Sequence, residues 1–81
     1  MRDKTLEELI EEKKEELYQT FYKEKYLQVY HITYVETGNN EYAEKLGEET
    51  AHEYAEYILN KIEEEIEEEV RESYYKNNQK E

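Results

Sequence analysis

Two side chains in this sequence have the spacing of a metal-binding motif. Glu49 and His52 lie three residues apart in a stretch with helical periodicity, so a carboxylate and an imidazole come one turn apart on neighbouring faces. A reversal of the chain at Gly38 would bring Glu24 roughly level with His52. Carboxylate oxygens and imidazole nitrogens bind divalent metals and iron. Glu24, Glu49 and His52 are therefore candidate metal ligands.

The wider motif has a counterpart in a known family. The stretch Glu48-Glu49-Thr50-Ala51-His52, followed by Ala55, Ile58 and Leu59, resembles the second helix of ferritin-like hairpins, whose short forms dimerise to complete the metal site. The resemblance covers about a dozen residues and implies a divalent metal or iron as cofactor. The expectation is that no cofactor is bound and that His31 and His52 are bundle histidines bonded to nearby glutamates; the metal site is the alternative.

Six glutamates within seven positions form a second pattern with a chemical consequence. They are Glu63, Glu64, Glu65, Glu67, Glu68 and Glu69, which we call the acidic run. Three pairs in it are like charges four residues apart, each costing about 0.2–0.5 kcal/mol, and acids near a helix C-terminus oppose the macrodipole. Carboxylates on one helix face recur about every 6 Å, comparable to nucleic-acid phosphates. The run is either a binding face for a basic protein or a solvated surface.

The charge of the whole chain limits its partners. The sequence contains 11 Lys and Arg against 23 Asp and Glu, a formal net charge of −12. Such a surface repels phosphate backbones and anionic lipids, so we expect no direct nucleic-acid binding and no membrane binding. The partner expected from this charge is a basic protein, such as a nuclease or another nucleic-acid-binding enzyme.

Several kinds of catalytic site are missing from the sequence. It has no Cys, two Gly and a single serine, Ser73, so it offers neither a nucleophilic triad nor a Gly-rich phosphate loop. We therefore expect a protein that is not an enzyme. No long apolar run or signal-peptide stretch is present, so the expected compartment is the cytoplasm of a cell or host cell.

Helix signals organise the chain around one turn. Thr5 with Glu8 forms the pattern of a capping box, and apolar residues follow at helical spacing. Gly and Asn at Thr37–Asn40 predict a turn. The sequence thus predicts one small helical domain over residues 1–81, with helices at about 5–36 and 41–75 and a frayed tail at 76–81.

Two stretches leave the helix prediction open. Residues 26–35 are rich in aromatic and β-branched residues, so the alternative is an α+β fold in which this segment is a strand pairing between chains. Gly47 predicts a break or a bend in the second helix. Mostly apolar residues recur at every fourth position of that helix and form its predicted column: Tyr42, Leu46, Thr50, Tyr54, Ile58, Ile62, Ile66, Val70 and Tyr74.

The sequence favours an all-α fold, a two-helix antiparallel hairpin that dimerises into a four-helix bundle. The expected function is that of a non-enzymatic, acidic protein–protein interaction module, acting as an inhibitor or nucleic-acid mimic. Small immunity proteins, antitoxins, anti-restriction proteins and anti-CRISPR proteins of viruses or plasmids act on basic proteins in this way, and the analogy is one of composition. The alternatives are a ferritin-like metal-binding hairpin and a purely structural or adaptor bundle.

Overall fold

The chain folds into two long helices that lie side by side. A computed structural model describes the backbone of residues 4–78 and the side chains of residues 4–76. Helix α1 spans Leu6–Thr37 and helix α2 spans Asn40–Asn78. The two predicted helices and the turn between them are confirmed. Of the tail predicted to fray, the last three residues lie outside the described range.

Helix α1 begins with the capping box predicted from Thr5 and Glu8. The Glu8 N–H donates to Thr5 Oγ1 at 3.2 Å, and the Thr5 N–H donates to Glu8 Oε1 at 2.9 Å. The backbone hydrogen bond from Thr5 lowers the pKa of the Glu8 carboxyl. Two amides that the first turn would leave unpaired are therefore satisfied locally.

The chain reverses at Gly38 and Asn39. Gly38 has φ 68° and ψ 10°, a left-handed conformation that glycine adopts without a Cβ penalty, and its N–H donates to the Tyr34 carbonyl at 2.7 Å. Asn39 Oδ1 accepts the Tyr42 N–H at 3.0 Å and so caps α2. One helix end and the next helix start are thus closed within two residues, which makes the helices antiparallel neighbours.

Residues 26–35 are helical throughout, so the strand alternative is wrong. In a helix, each backbone amide of this segment bonds within the same chain, whereas a lone strand would need another chain to satisfy its backbone. The aromatic and β-branched residues that favour a strand locally are overridden by the helix on either side of them. No strand is present among residues 4–78.

In the first half of α2, the buried residues are small and lie outside the predicted column, of which Tyr54 contacts the Phe21 ring of α1 edge-on. Ala43, Ala51 and Ala55 are fully buried, and Gly47 lies among them at the same four-residue interval. Tyr42, the first residue of the predicted column, is half exposed. We call Ala43, Gly47, Ala51 and Ala55 the small stripe. Only Ile66 of the predicted column is buried.

A ladder of tyrosines on α1 explains why this stripe is small. Its rings belong to Tyr18, Tyr22, Tyr26, Tyr30 and Tyr34, and successive ring centroids lie 5.8–6.2 Å apart. A Cβ added at Gly47 would lie 3.0 Å from Tyr26 Cδ1, tighter than ordinary van der Waals contact, so the ring would have to shift by a few tenths of an ångström. Helix α2 continues through Gly47 without interruption, so the predicted break there is wrong. The glycine makes room for the Tyr26 ring.

Candidate partner-binding surface

The acidic run lies at the end of the hairpin away from the turn, where α1 supplies one lysine to it. Lys14 Nζ lies 2.9 Å from Glu63 Oε2 and 3.7 Å from Glu67 Oε2. The hydrogen bond to Glu63 raises the pKa of the Lys14 ammonium above its ordinary value. Two of the six glutamates are therefore partly neutralised across the helix interface.

The remaining four glutamates of the run form an exposed strip, which we call the outer quartet. Its members are Glu64, Glu65, Glu68 and Glu69. At 100° per residue, these positions fall within an arc of about 140° on one side of α2. None of the four makes an ion pair with a described residue. The quartet therefore presents four carboxylates together to solvent.

Some positive charge lies next to the quartet. Arg71 and Lys76 line a surface recess together with Glu68 and Glu72. These bases lie towards the C-terminal end of α2, where cations complement the helix dipole. They shield the Glu68 end of the quartet. Lys61 lies one turn before Glu64 and Glu65, and its Nζ lies over the Tyr57 ring, 5.1 Å from the centroid.

The structure does not bring the three predicted metal ligands together within one chain. Glu24 lines a recess with Lys25, Gln28 and Tyr54, whereas the His52 ring contacts neither Glu24 nor Glu49. No group of three or more His, Asp or Glu side chains in the described range could hold a metal ion. A site shared between two chains stays a prediction.

His52 instead belongs to a polar cluster with a nearby glutamate, as expected for a bundle histidine, and with a tyrosine of α1 that no sequence pattern predicts. Its Nδ1 lies 2.6 Å from the Tyr18 hydroxyl, and its Nε2 lies 3.4 Å from Glu56 Oε2. Burial, followed by the Glu56 charge, raises the pKa of the Tyr18 hydroxyl. Tyr18 and His52 are 34 residues apart, so no local pattern could have joined them. The cluster ties the ladder to α2 beside the small stripe.

Exposed apolar side chains concentrate near the turn. Seven large hydrophobic residues are exposed among those described, and five of them lie between residues 27 and 42. The five are Leu27, Ile32, Tyr34, Val35 and Tyr42. The hairpin therefore has an apolar end at the turn and an acidic end at the opposite side, where residues 63–69 lie.

No protein-family model, curated protein or solved structure matches this chain. Within the described part of the chain, neither helix combines the length and the apolar composition that a membrane crossing requires. The surface itself is therefore the basis for a functional proposal.

Proposed function

We propose that this chain is a non-enzymatic interaction module that acts as a homodimer and binds a basic protein through the acidic run, as an inhibitor or nucleic-acid mimic. The observation that carries the proposal is the exposed outer quartet. Its four carboxylates share one side of α2 and make no ion pair with a described residue.

The glutamates of the outer quartet repel one another, and this repulsion lowers the stability of the free helix. Glu64 and Glu68, and likewise Glu65 and Glu69, are like charges four residues apart, each pair costing about 0.2–0.5 kcal/mol. Helix α1 interleaves Lys13 and Lys14 among its glutamates, so the chain elsewhere places bases between acids. A cationic partner would turn this repulsion into attraction and speed association.

The two faces of the run have different roles in this proposal. Glu63 and Glu67 bind Lys14 and so join α2 to α1. The outer quartet is turned away from that lysine and is free to meet guanidinium and ammonium groups, at intervals of about 6 Å along the helix. A groove that binds a nucleic-acid backbone offers bases at a comparable spacing.

The test replaces Glu64 and Glu68 with Gln, which removes two charges and keeps good helix formers. We expect the free variant to melt slightly higher and to bind its basic partner more weakly, through slower association. Salt should weaken wild-type binding more than variant binding. The measurements are a pull-down from cell lysate at low and high salt, with captured nucleic-acid enzymes identified, followed by association kinetics on the purified partner.

The matched control is Glu49→Gln with Glu53→Gln. These residues are exposed on the same helix at the same spacing, and the double variant has the same net charge. It should bind the partner almost as wild type does. Equal binding by wild type and the Glu64/Glu68 variant, with the same salt dependence, would show that the acidic run is only a solvated surface.

A further inference from the structure

The longest stretch of the sequence without a charged residue is Tyr26–Val35, which we call the uncharged segment. It lies within α1 next to the turn. Thr33 is its buried residue, covered by α2. At 100° per residue, Leu27, Ile32 and Val35 lie about 100–160° around the helix from Thr33. Helix α1 thus has a second apolar face, directed away from α2.

This second face is too exposed for an isolated hairpin. Leu27, Ile32 and Val35 are 54, 50 and 69 % exposed. A soluble helix with apolar residues on opposite sides is ordinarily buried on both. In the described part of the chain, α2 is the only other helix and covers one side alone. Burial of the opposite side therefore requires another chain.

The exposed area of the molecule is large enough for such an interface. A compact monomer of 10.0 kDa exposes about 5,200 Å², whereas this chain exposes 6759 Å². The difference, about 1,500 Å², follows from the elongated shape and leaves enough open surface for an interface of standard size, which buries roughly 800 Å² on each partner. The hairpin measures 59 × 28 × 15 Å, so it is a single layer of helices with two open faces.

The charge distribution makes the uncharged segment the place where two copies can meet and sets their relative direction. Two chains of net charge −12 approach with least repulsion where neither has a charge, which is the uncharged segment. Lys14, which marks the level of the acidic run, is 17 residues from His31, about 25 Å along α1. Antiparallel pairing centred on His31 separates the two runs by about 50 Å, well beyond the screening length. Parallel pairing would place them side by side.

We propose that two copies associate antiparallel through the outer side of the uncharged segment, with Leu27 of one copy near Val35 of the other and His31 near the two-fold axis. The two α1 helices then lie side by side around the turns, each with its own α2 on the far side. The two acidic runs then lie at opposite ends of an elongated dimer. Their use as two separate binding faces rests on the proposed function, whereas the contact between the two copies and its direction do not depend on whether the acidic run binds a partner.

The first test measures mass by sedimentation equilibrium at micromolar concentration. Wild type should give about 20 kDa, twice the 10.0 kDa chain. Leu27→Gln with Val35→Gln should halve the mass while circular dichroism stays helical, because both side chains are exposed in the single hairpin. Tyr75→Gln, an equally exposed residue at the other end, should leave the dimer intact. A monomeric wild type, or a dimer that survives the double substitution, would overturn the proposal.

The second test uses the absence of cysteine from the sequence. Under mild oxidation, His31→Cys should form a covalent dimer on a non-reducing gel, whereas Glu64→Cys should stay monomeric on the same gel. Failure of the His31 cross-link, or cross-linking at Glu64, would overturn the antiparallel arrangement even if the double variant did not fold. Neither measurement contains a basic partner, so both are independent of whether the acidic run binds one.

Discussion

At the scale of single residues, Gly47 combines two opposing effects. Glycine inside a helix costs about 1 kcal/mol relative to alanine, so its presence in α2 is unfavourable by propensity alone. The Tyr26 ring occupies the space that a side chain would need, and it is stacked between Tyr22 and Tyr30. The neighbouring rings limit how far Tyr26 can move aside.

We expect Gly47→Ala to destabilise the fold by about 1 kcal/mol net. Overpacking costs about 1–3 kcal/mol and the gain in helix propensity offsets about 1 kcal/mol of it. Chemical denaturation at one fixed protein concentration measures the difference. In a Tyr26→Ala background, the same Gly47→Ala change should be neutral or stabilising, because the clash is gone. A loss of equal size in both backgrounds would contradict this explanation.

At the scale of the elements, the hairpin depends on how α1 ends. The turn has only Gly38 and Asn39 between two helices of more than thirty residues each. Gly38 has open space around it, with no atom within 4 Å of an added Cβ. Glycine is therefore favoured at position 38 by the left-handed backbone conformation and not by a lack of space for a side chain.

Substitutions at Gly38 therefore test the effect of backbone conformation alone, without a steric clash. Gly38→Ala should lower the free energy of unfolding by about 1 kcal/mol or more, because an alanine in the left-handed region brings its Cβ close to the backbone. Gly38→Asn should lose less, since asparagine adopts this conformation more readily. Thermal unfolding of the two variants beside wild type gives the comparison. Equal losses for Ala and Asn would show that something other than φ decides the turn.

At the scale of the whole molecule, the raised pKa values of three groups and the strong negative charge make the stability of the fold depend on pH in the alkaline range. Burial raises the pKa of the Tyr18 and Tyr26 hydroxyls, and the Glu63 hydrogen bond raises the pKa of Lys14. For each group, the unfolded chain therefore releases its proton at a lower pH than the folded chain. Each proton lost also adds negative charge to a chain that already carries −12.

We expect stability to fall as the pH rises above about 10, the ordinary range of tyrosine and lysine. In that range the folded state binds more protons than the unfolded state, so deprotonation favours unfolding. Urea denaturation at several pH values between neutrality and this range would measure the slope. Tyr26→Phe removes one of the three groups and should make the fall shallower. A stability that stays constant through this range would contradict the expectation.

Features that depend on neighbours along the chain follow directly from the amino-acid sequence. Thr5 with Glu8 set the start of α1, and Gly38 with Asn39 set the turn, because each cap uses atoms within four residues. The net charge and the acidic run are likewise properties of the sequence alone. Residues 26–35 were ambiguous because their side chains favour a strand while their flanks favour a helix, and the cooperativity of a long helix decided the outcome.

The sides on which the two helices meet depend on packing between the helices and cannot be predicted from spacing along the chain. Spacing along the sequence sets the height of a residue on its helix, so Glu24 and His52 could be judged level. Spacing does not set the rotation of one helix about its axis relative to the other. The contacts of Lys14 with Glu63 and of Tyr18 with His52 therefore cannot be predicted from the sequence. The buried side of α2 carries Ala43, Gly47, Ala51 and Ala55, and the Tyr26 ring packs against Gly47. Apolar periodicity is a pattern of large side chains, whereas the contact between these helices depends on small ones.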